Sequence, residues 1–263
     1  MIILATNKDY WKKRIDETAQ RRFNLTYEAM QSETRKIYDR ITHEIIKEVE
    51  DMYYKLLDEE LSRTEIWTYK HYKDLLNSIN MKMVKLGLKE INILNYNLEE
   101  ALREIYVETP LPQHTPIKPS FAVLDDVAVQ QIIARSWSEK HFISTEWDNK
   151  KELVRILKKG IEDCIVKGQS KDKLVKVVME KMQVGFNRAD MVVRTELMHT
   201  INEGQRQKYM DHGYDKGIIL VAHDERLCEK CVKYADNEKP KPLDEIVLPT
   251  HPRCRCTCIP VIE

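Results

Sequence analysis

The stretch IYDRITHEIIKEVEDMYYKL, residues 37–56, decides the class of fold. Its apolar residues Ile37, Ile41, Ile45, Val49, Met52 and Leu56 recur at spacings of three and four, so on a helix they share one face while the charges occupy the other. A stripe of that length predicts a long amphipathic helix. Proline and glycine let the reading spread outward. All nine prolines fall within 110–119 and 240–260, and Gly87 is the only glycine before Gly160, so two long stretches are free of helix breakers.

Ser62 with Glu65 fits a capping box that opens a second helix, and Leu98, Leu102 and Ile105 place a third one ending before the prolines. The segment TPLPQHTPIKPS, residues 109–120, holds four prolines and should run extended between two helical blocks. Beyond it, Leu153, Ile156, Leu157, Ile161 and Cys164 predict a helix from Trp147 to Val166, stopped by Gly168, with Cys164 as a core thiol. Ser170 can cap a helix to about Met182, and Asn187 another to about His212, before Gly213. The runs IILVAHD after Gly217 and CIPVIE at 258–263 are the strand candidates. The expected fold is mainly α with a small C-terminal α+β subdomain of zinc-binding type. Its parts are an N-terminal helical region over 1–108, a Pro-rich linker over 109–120, and a second domain over 121–263 whose last part, 218–263, is cysteine-rich.

The chain has 263 residues, enough for one large or two modest domains, and its 43 basic and 43 acidic residues cancel. That balance argues against a dedicated nucleic-acid binder, whose basic surface would unbalance the count. The start, MIILATNKDYWKKR, is too short in apolar residues for a secretory segment, and no run approaches the ~18 apolar residues that span a bilayer. A reducing cytoplasm and no membrane partner are expected.

Five of the six cysteines lie in the last 36 residues, as Cys228-x-x-Cys231, then 22 residues, then Cys254-x-Cys256-x-Cys258. A Cys-x-x-Cys turn sets two thiolates within reach of one ion and a second pair completes a tetrahedron, the logic of structural zinc sites. Disulfide or redox use and unligated thiols are the alternatives, the former disfavoured in a reducing compartment. If 254–258 is extended, alternate side chains share a face, with neighbours about 6.6 Å apart and Cys254 and Cys258 about 13 Å apart. Cys254 and Cys258 then cannot both bind one ion unless the strand bends, and Cys256 is the safest ligand of the three. Arg253, Arg255 and Thr257 would face the other way. His251, held extended by Pro252, can supply a further ligand or orient one. The candidate set is four of Cys228, Cys231, His251, Cys254 and Cys256, with Cys258 a core residue. Few apolar residues separate Cys231 from Leu248, so this segment is expected to depend on the ion for its shape.

The order of RADMVVRTELMHTINEGQRQKYMDHGY, AHDERLCEKC and LPTHPRCRCTCIPVI resembles the C-terminal domain of phage head morphogenesis proteins, the Mu protein F-like minor head proteins. The matching positions are Arg194, Thr195 and Glu196 on a helix, Asp224 before the Cys228–Cys231 pair, and His251, Pro252, Cys254, Arg255 and Cys256 near the end. The resemblance covers 188–260 and extends back to about 120; a second Arg-Thr-Glu at Arg63, Thr64 and Glu65 carries no such context. It implies a minor capsid protein that associates with the portal and other head proteins and can touch packaged DNA. Its place would be the virion, inside the head near the portal, and the host cytoplasm during assembly. Arg194 and Glu196 face different directions on a helix, so each is expected to tie that helix to another part of the domain, such as the zinc loop or Asp224, rather than to act in catalysis.

Two other readings stand beside this one. A ββα-metal nuclease could use His223, Asp224 and His251, but it needs a helix after its hairpin, and only seven residues follow Cys256. A zinc-bearing nucleic-acid module could use Arg253, Arg255, Lys239 and Lys241, but Asp236, Glu238, Asp244 and Glu245 dilute that patch. There is no phosphate-binding glycine loop, no G-x-S-x-G elbow and no H-E-x-x-H pair.

Overall fold

The computed structural model describes residues 7–58, 70–112, 123–221 and 228–261. Ser62, Glu65, the second Arg-Thr-Glu, most of the Pro-rich stretch, His223 and Asp224 lie outside them. The chain is mainly helical with a small C-terminal α+β part. In order it forms α1 (Asn7–Asp58), α2 (Lys70–Glu108), α3 (Asp126–Ile133), α4 (Phe142–Val166), α5 (Lys171–Asp211), β1 (Lys216–Leu220), α6 (Glu229–Ala235), β2 (Lys241–Pro242) and β3 (Thr257–Pro260). None of the described helices is long and apolar enough to cross a membrane.

The stripe at 37–56 lies within α1 as the spacing requires. Ile41, Ile45, Val49 and Met52 are buried, Ile37 and Leu56 pack at the margin, and Tyr38 rather than Ile37 reaches the core. Other joints differ from expectation. Residues 70–108 are one helix, and 171–211 are one helix, so Asn187 starts nothing. Gly185 sits inside α5 because a Cβ there would stand 2.6 Å from Leu153 Cδ2; the glycine permits close packing of α4 and α5 and does not interrupt α5. α4 begins at Phe142, five residues before Trp147. Its end and the start of α5 follow the sequence: Gly168 takes φ 59, Gln169 N–H bonds the Cys164 carbonyl, and Ser170 Oγ accepts from Lys173 N–H.

The described residues form two compact units that interleave in sequence: 1–30, 94–141 and 191–263 in one, 31–93 and 142–190 in the other. The second unit is a helical core of α1, α2, α4 and α5 segments around Ile45, Val49, Leu86, Leu157 and Val178. Within it lies a buried charge cluster. Lys150 Nζ stands 2.6 Å from Glu90 Oε2 and 3.3 Å from Glu146 Oε2, and donates to Tyr38 Oη at 2.8 Å. Burial pushes the Glu90 carboxyl up to about 8, against the pull of Lys150 and with the help of Glu146. Glu90 therefore keeps its proton near neutrality.

The first unit carries the cysteines. Its sheet has the order β2-β1-β3, all pairs antiparallel, with Ile218 opposite Ile259 and Ile219 opposite Cys258. Gly217 is required at the crossing point, since a Cβ would lie 2.7 Å from Leu243 Cδ2 and 3.1 Å from Cys258 Sγ. Of the strand runs read from sequence, 218–220 and 258–260 pair in this sheet, while residues 222–224 and 262–263 lie outside the described residues, and β2 and α6 carried no pattern long enough to read. Leu243, Ile246 and Leu248 are all buried against the sheet. The segment after Cys231 thus has apolar anchorage at three residues.

Candidate metal centre

Two local devices set the first pair of cysteines. Cys228 is the N-cap of α6: its sulfur accepts from Cys231 N–H at 3.3 Å, so the Cys-x-x-Cys spacing itself opens the helix. This is the usual geometry of a cap, with sulfur in the place of oxygen. Cys231 follows on the first turn and points inward, 4% exposed. The second pair comes from a turn in which Arg253 takes φ 62 and Cys254 N–H bonds the His251 carbonyl.

Among the described residues, two groups of three ligand atoms gather within 4.8 Å: Cys228, Cys231 and His251, and Cys231, Cys254 and Cys256. They share Cys231. His251 Nε2 lies 3.1 Å from Cys228 Sγ and 3.0 Å from Cys231 Sγ, and Cys231 Sγ lies 3.7 Å from Cys254 Sγ. With metal–sulfur bonds of about 2.3 Å, a tetrahedral site has S···S edges of about 3.8 Å. The Cys231–Cys254 edge matches that value. The histidine is also in the right form. Its Nδ1 is 2.8 Å from the Pro252 carbonyl, which can only accept, so Nδ1 carries the proton and Nε2 offers its lone pair to the cysteines.

Electrostatics favour binding. Cys256 donates a hydrogen bond to the Cys254 sulfur, as do backbone N–H groups of Cys256 and Thr250, and these bring the Cys254 thiol down to about 5. Cys256, the donor in that bond, is pushed up. Burial pushes Cys231 up to about 11. The cluster therefore holds one ready thiolate, and further thiols must lose protons as an ion enters, which makes affinity rise with pH. Thiolates and an imidazole in this arrangement can hold a metal ion, and the donor set selects a thiophilic one.

All five candidates from the sequence fall in these two groups: Cys256 belongs to one group of three, as do Cys254, Cys228 and His251, and Cys231 belongs to both. The segment is not one extended strand. Only 257–260 pair, and the chain turns before them. Cys258 stands apart as a core thiol, 1% exposed and pushed up to about 12 by burial. Thr257 does not face solvent; it is fully buried and donates to Asp16 Oδ1 at 3.2 Å. Arg253 is exposed and Arg255 half-buried.

The Arg-Thr-Glu segment lies on α5 beside this centre. Thr195 Oγ1 accepts from Arg253 N–H at 3.1 Å and donates to the Met191 carbonyl. Arg194 lies over the rings of Phe23 and Tyr27, and Glu196 accepts from Trp137 Nε1 at 2.9 Å. The helix holds three more supports that sequence reasoning missed. His199 Nδ1 donates to the Leu248 carbonyl at 2.9 Å, and Arg206 donates to the Leu243 carbonyl at 3.3 Å while paired with Glu203. Asn202 donates to the Cys256 carbonyl at 3.1 Å and accepts from Cys258 N–H at 2.8 Å. Positions 195, 199, 202 and 206 form one helical stripe, a signal that was present in the sequence as polar residues at spacings of four, three and four.

The chain matches no family model, no curated protein and no solved structure.

Proposed function

We propose that the chain is a minor head protein of a phage or prophage, joining the portal and other head proteins during procapsid assembly, with a structural zinc ion in its cysteine centre. The observation that carries the reading is the contact between Thr195 and Arg253 N–H. Two segments of the resemblance, Arg-Thr-Glu and His-Pro-x-Cys-Arg-Cys, lie far apart in sequence yet meet at this bond, which supports treating them as one structural device. Arg194 and Glu196 are likewise engaged in contacts within the unit, with Phe23, Tyr27 and Trp137. Such engagement favours scaffolding over catalysis.

His251 supports the same view. Both its nitrogens are committed, Nδ1 to the Pro252 carbonyl and Nε2 towards the sulfurs, so it has no free nitrogen to act as a general base. Zinc suits four thiolate and imidazole donors in a closed tetrahedron, where it has no open position for substrate and contributes to folding. The expected location is the virion, inside the head near the portal, and the host cytoplasm before assembly.

The test is co-assembly. Tagged chain expressed with its portal protein should co-purify with portal rings and be found by mass spectrometry in finished particles. Absence from both would refute the head-protein reading, and metal-dependent nicking of plasmid DNA would replace it with a nuclease.

A further inference from the structure

Next to the metal centre lies a cleft of about 540 Å³, within the size range of small-molecule sites. Trp137, Tyr234, Val247 and Pro249 give it an aromatic and apolar lining, and Lys230 and Lys233 give it positive charge. Among the described residues no acidic side chain lines it. We propose that this cleft binds single-stranded nucleic acid, with an unpaired base stacked on Trp137 and adjoining phosphates on Lys230 and Lys233. The inference rests on the cleft and holds whether or not the chain is a head protein.

Three observations carry it. First, the rings are fixed before any ligand arrives. The Trp137 indole N–H is bound to Glu196 Oε1, and the Tyr234 hydroxyl accepts from Val247 N–H at 3.0 Å and donates to the Glu245 carbonyl at 3.3 Å. A fixed ring loses little entropy when a base stacks on it. Second, the two lysines are exposed and one helical turn apart on α6, so both heads can serve one strand. Among the described residues neither has an ion-pair partner. Third, the combination is specific in kind. Aromatic rings beside cationic side chains suit a planar base next to a phosphate, whereas a duplex keeps its bases stacked inside and offers none to a ring. Lysine ammonium groups act as point charges that suit phosphate, while the forked recognition of peptide carboxylates favours arginine.

The site is tied to the metal centre by the chain itself. Lys230 lies between Cys228 and Cys231, and Thr250, also on the cleft, precedes His251.

The experiment uses the full chain and a fluorescent twelve-residue oligothymidylate, followed by anisotropy across a salt series. Two phosphate contacts predict a slope of log K against log salt of about −1.4, and Lys230→Gln or Lys233→Gln should each reduce it by about 0.7. Trp137→Ala should weaken binding by roughly fivefold or more, and Trp137→Phe, which keeps a ring but loses the Glu196 bond, should recover most of it. The lysine substitutions are at exposed positions and keep the test valid should Trp137→Ala misfold. An oligouridylate of equal length shows whether the preferred strand is DNA or RNA, either preference being consistent with base and phosphate contacts. The proposal is overturned if the oligonucleotide does not bind at low salt, if duplex binds equally well, or if polyglutamate at equal charge displaces it as readily as a second strand.

Discussion

Asn202→Ala tests how the metal centre is held. Asn202 is 3% exposed and bridges α5 to the chain on both sides of Thr257, donating to the Cys256 carbonyl and accepting from the Cys258 amide. Both partners belong to residues at most 3% exposed, so water cannot replace the lost bonds. Each buried group left unpaired costs about 1–3 kcal/mol, which puts the substitution at roughly 2–6 kcal/mol. Thr195→Val is the graded comparison. It leaves one amide, that of Arg253, without its acceptor and also removes the hydroxyl's bond to the Met191 carbonyl within α5, and should cost about 1–3 kcal/mol. Because Asn202 fixes the backbone of Cys256, its loss should also weaken metal binding by about 10–100-fold, as removal of an outer support typically does. Urea unfolding followed by circular dichroism gives the first quantity, and competition with a chelating dye the second. A change under about 0.5 kcal/mol with unaltered metal affinity would refute the view that α5 holds this loop through side-chain bonds.

Two further outcomes follow from named groups. Cys231 belongs to both groups of ligand atoms, so Cys231→Ser should abolish metal binding whichever residue completes the set, while Cys258→Ser should leave the metal content unchanged; metal analysis of reduced protein decides, and retention of metal in the first variant would sink the ligand set. Glu90, raised to about 8, makes the unit around Lys150 less stable as pH rises. Above the ordinary carboxylate range the unfolded chain has released this proton while the folded chain still holds it, so raising pH favours unfolding until about pH 8, where the loss is complete. At about 1.4 kcal/mol per pKa unit the fall amounts to a few kcal/mol, and Glu90→Gln should flatten the profile of unfolding free energy between pH 5 and 8. An unchanged slope in that variant would assign the dependence elsewhere.

The long helices were legible because their burial is periodic, and periodicity survives in sequence whatever lies opposite. Their joints were less so. Gly185 and Asn187 look like an interruption, yet Gly185 is there to admit Leu153, a reason that depends on α4 and cannot be seen within α5 alone. β1 and β3 announced themselves by β-branched and apolar runs, whereas β2 has two residues and exists only because Lys216 and Gly217 lie opposite it. The metal centre was legible as a set of residue types at set spacings. Its internal order was not. The extended reading of 254–258 already set Cys258 apart as a core residue, but it could not show the turn at Arg253, with a backbone angle that few residues other than glycine adopt, ahead of Cys254 and Cys256, which gather with Cys231.

The same reasoning explains why the supports on α5 escaped notice. Thr195, His199, Asn202 and Arg206 fall on one helical face, and a polar face normally means solvent. Here three of them are under 7% exposed and the fourth is 9% exposed, so the rule of amphipathic helices fails at this stripe. It fails because the partners are backbone groups of Arg253, Leu248, Cys256, Cys258 and Leu243, in the largely irregular chain that leads from β2 into β3. Backbone amides and carbonyls are the same in every sequence, so nothing in residues 243–258 advertises the need. What the need leaves behind is on the helix: polar side chains in a regular stripe, buried although they are polar. A buried helix with such a stripe next to a cysteine-rich loop is therefore a sign that the loop is held by side chains as well as by any ion, and the two contributions are separable by comparing Asn202→Ala with Cys231→Ser in the same unfolding experiment.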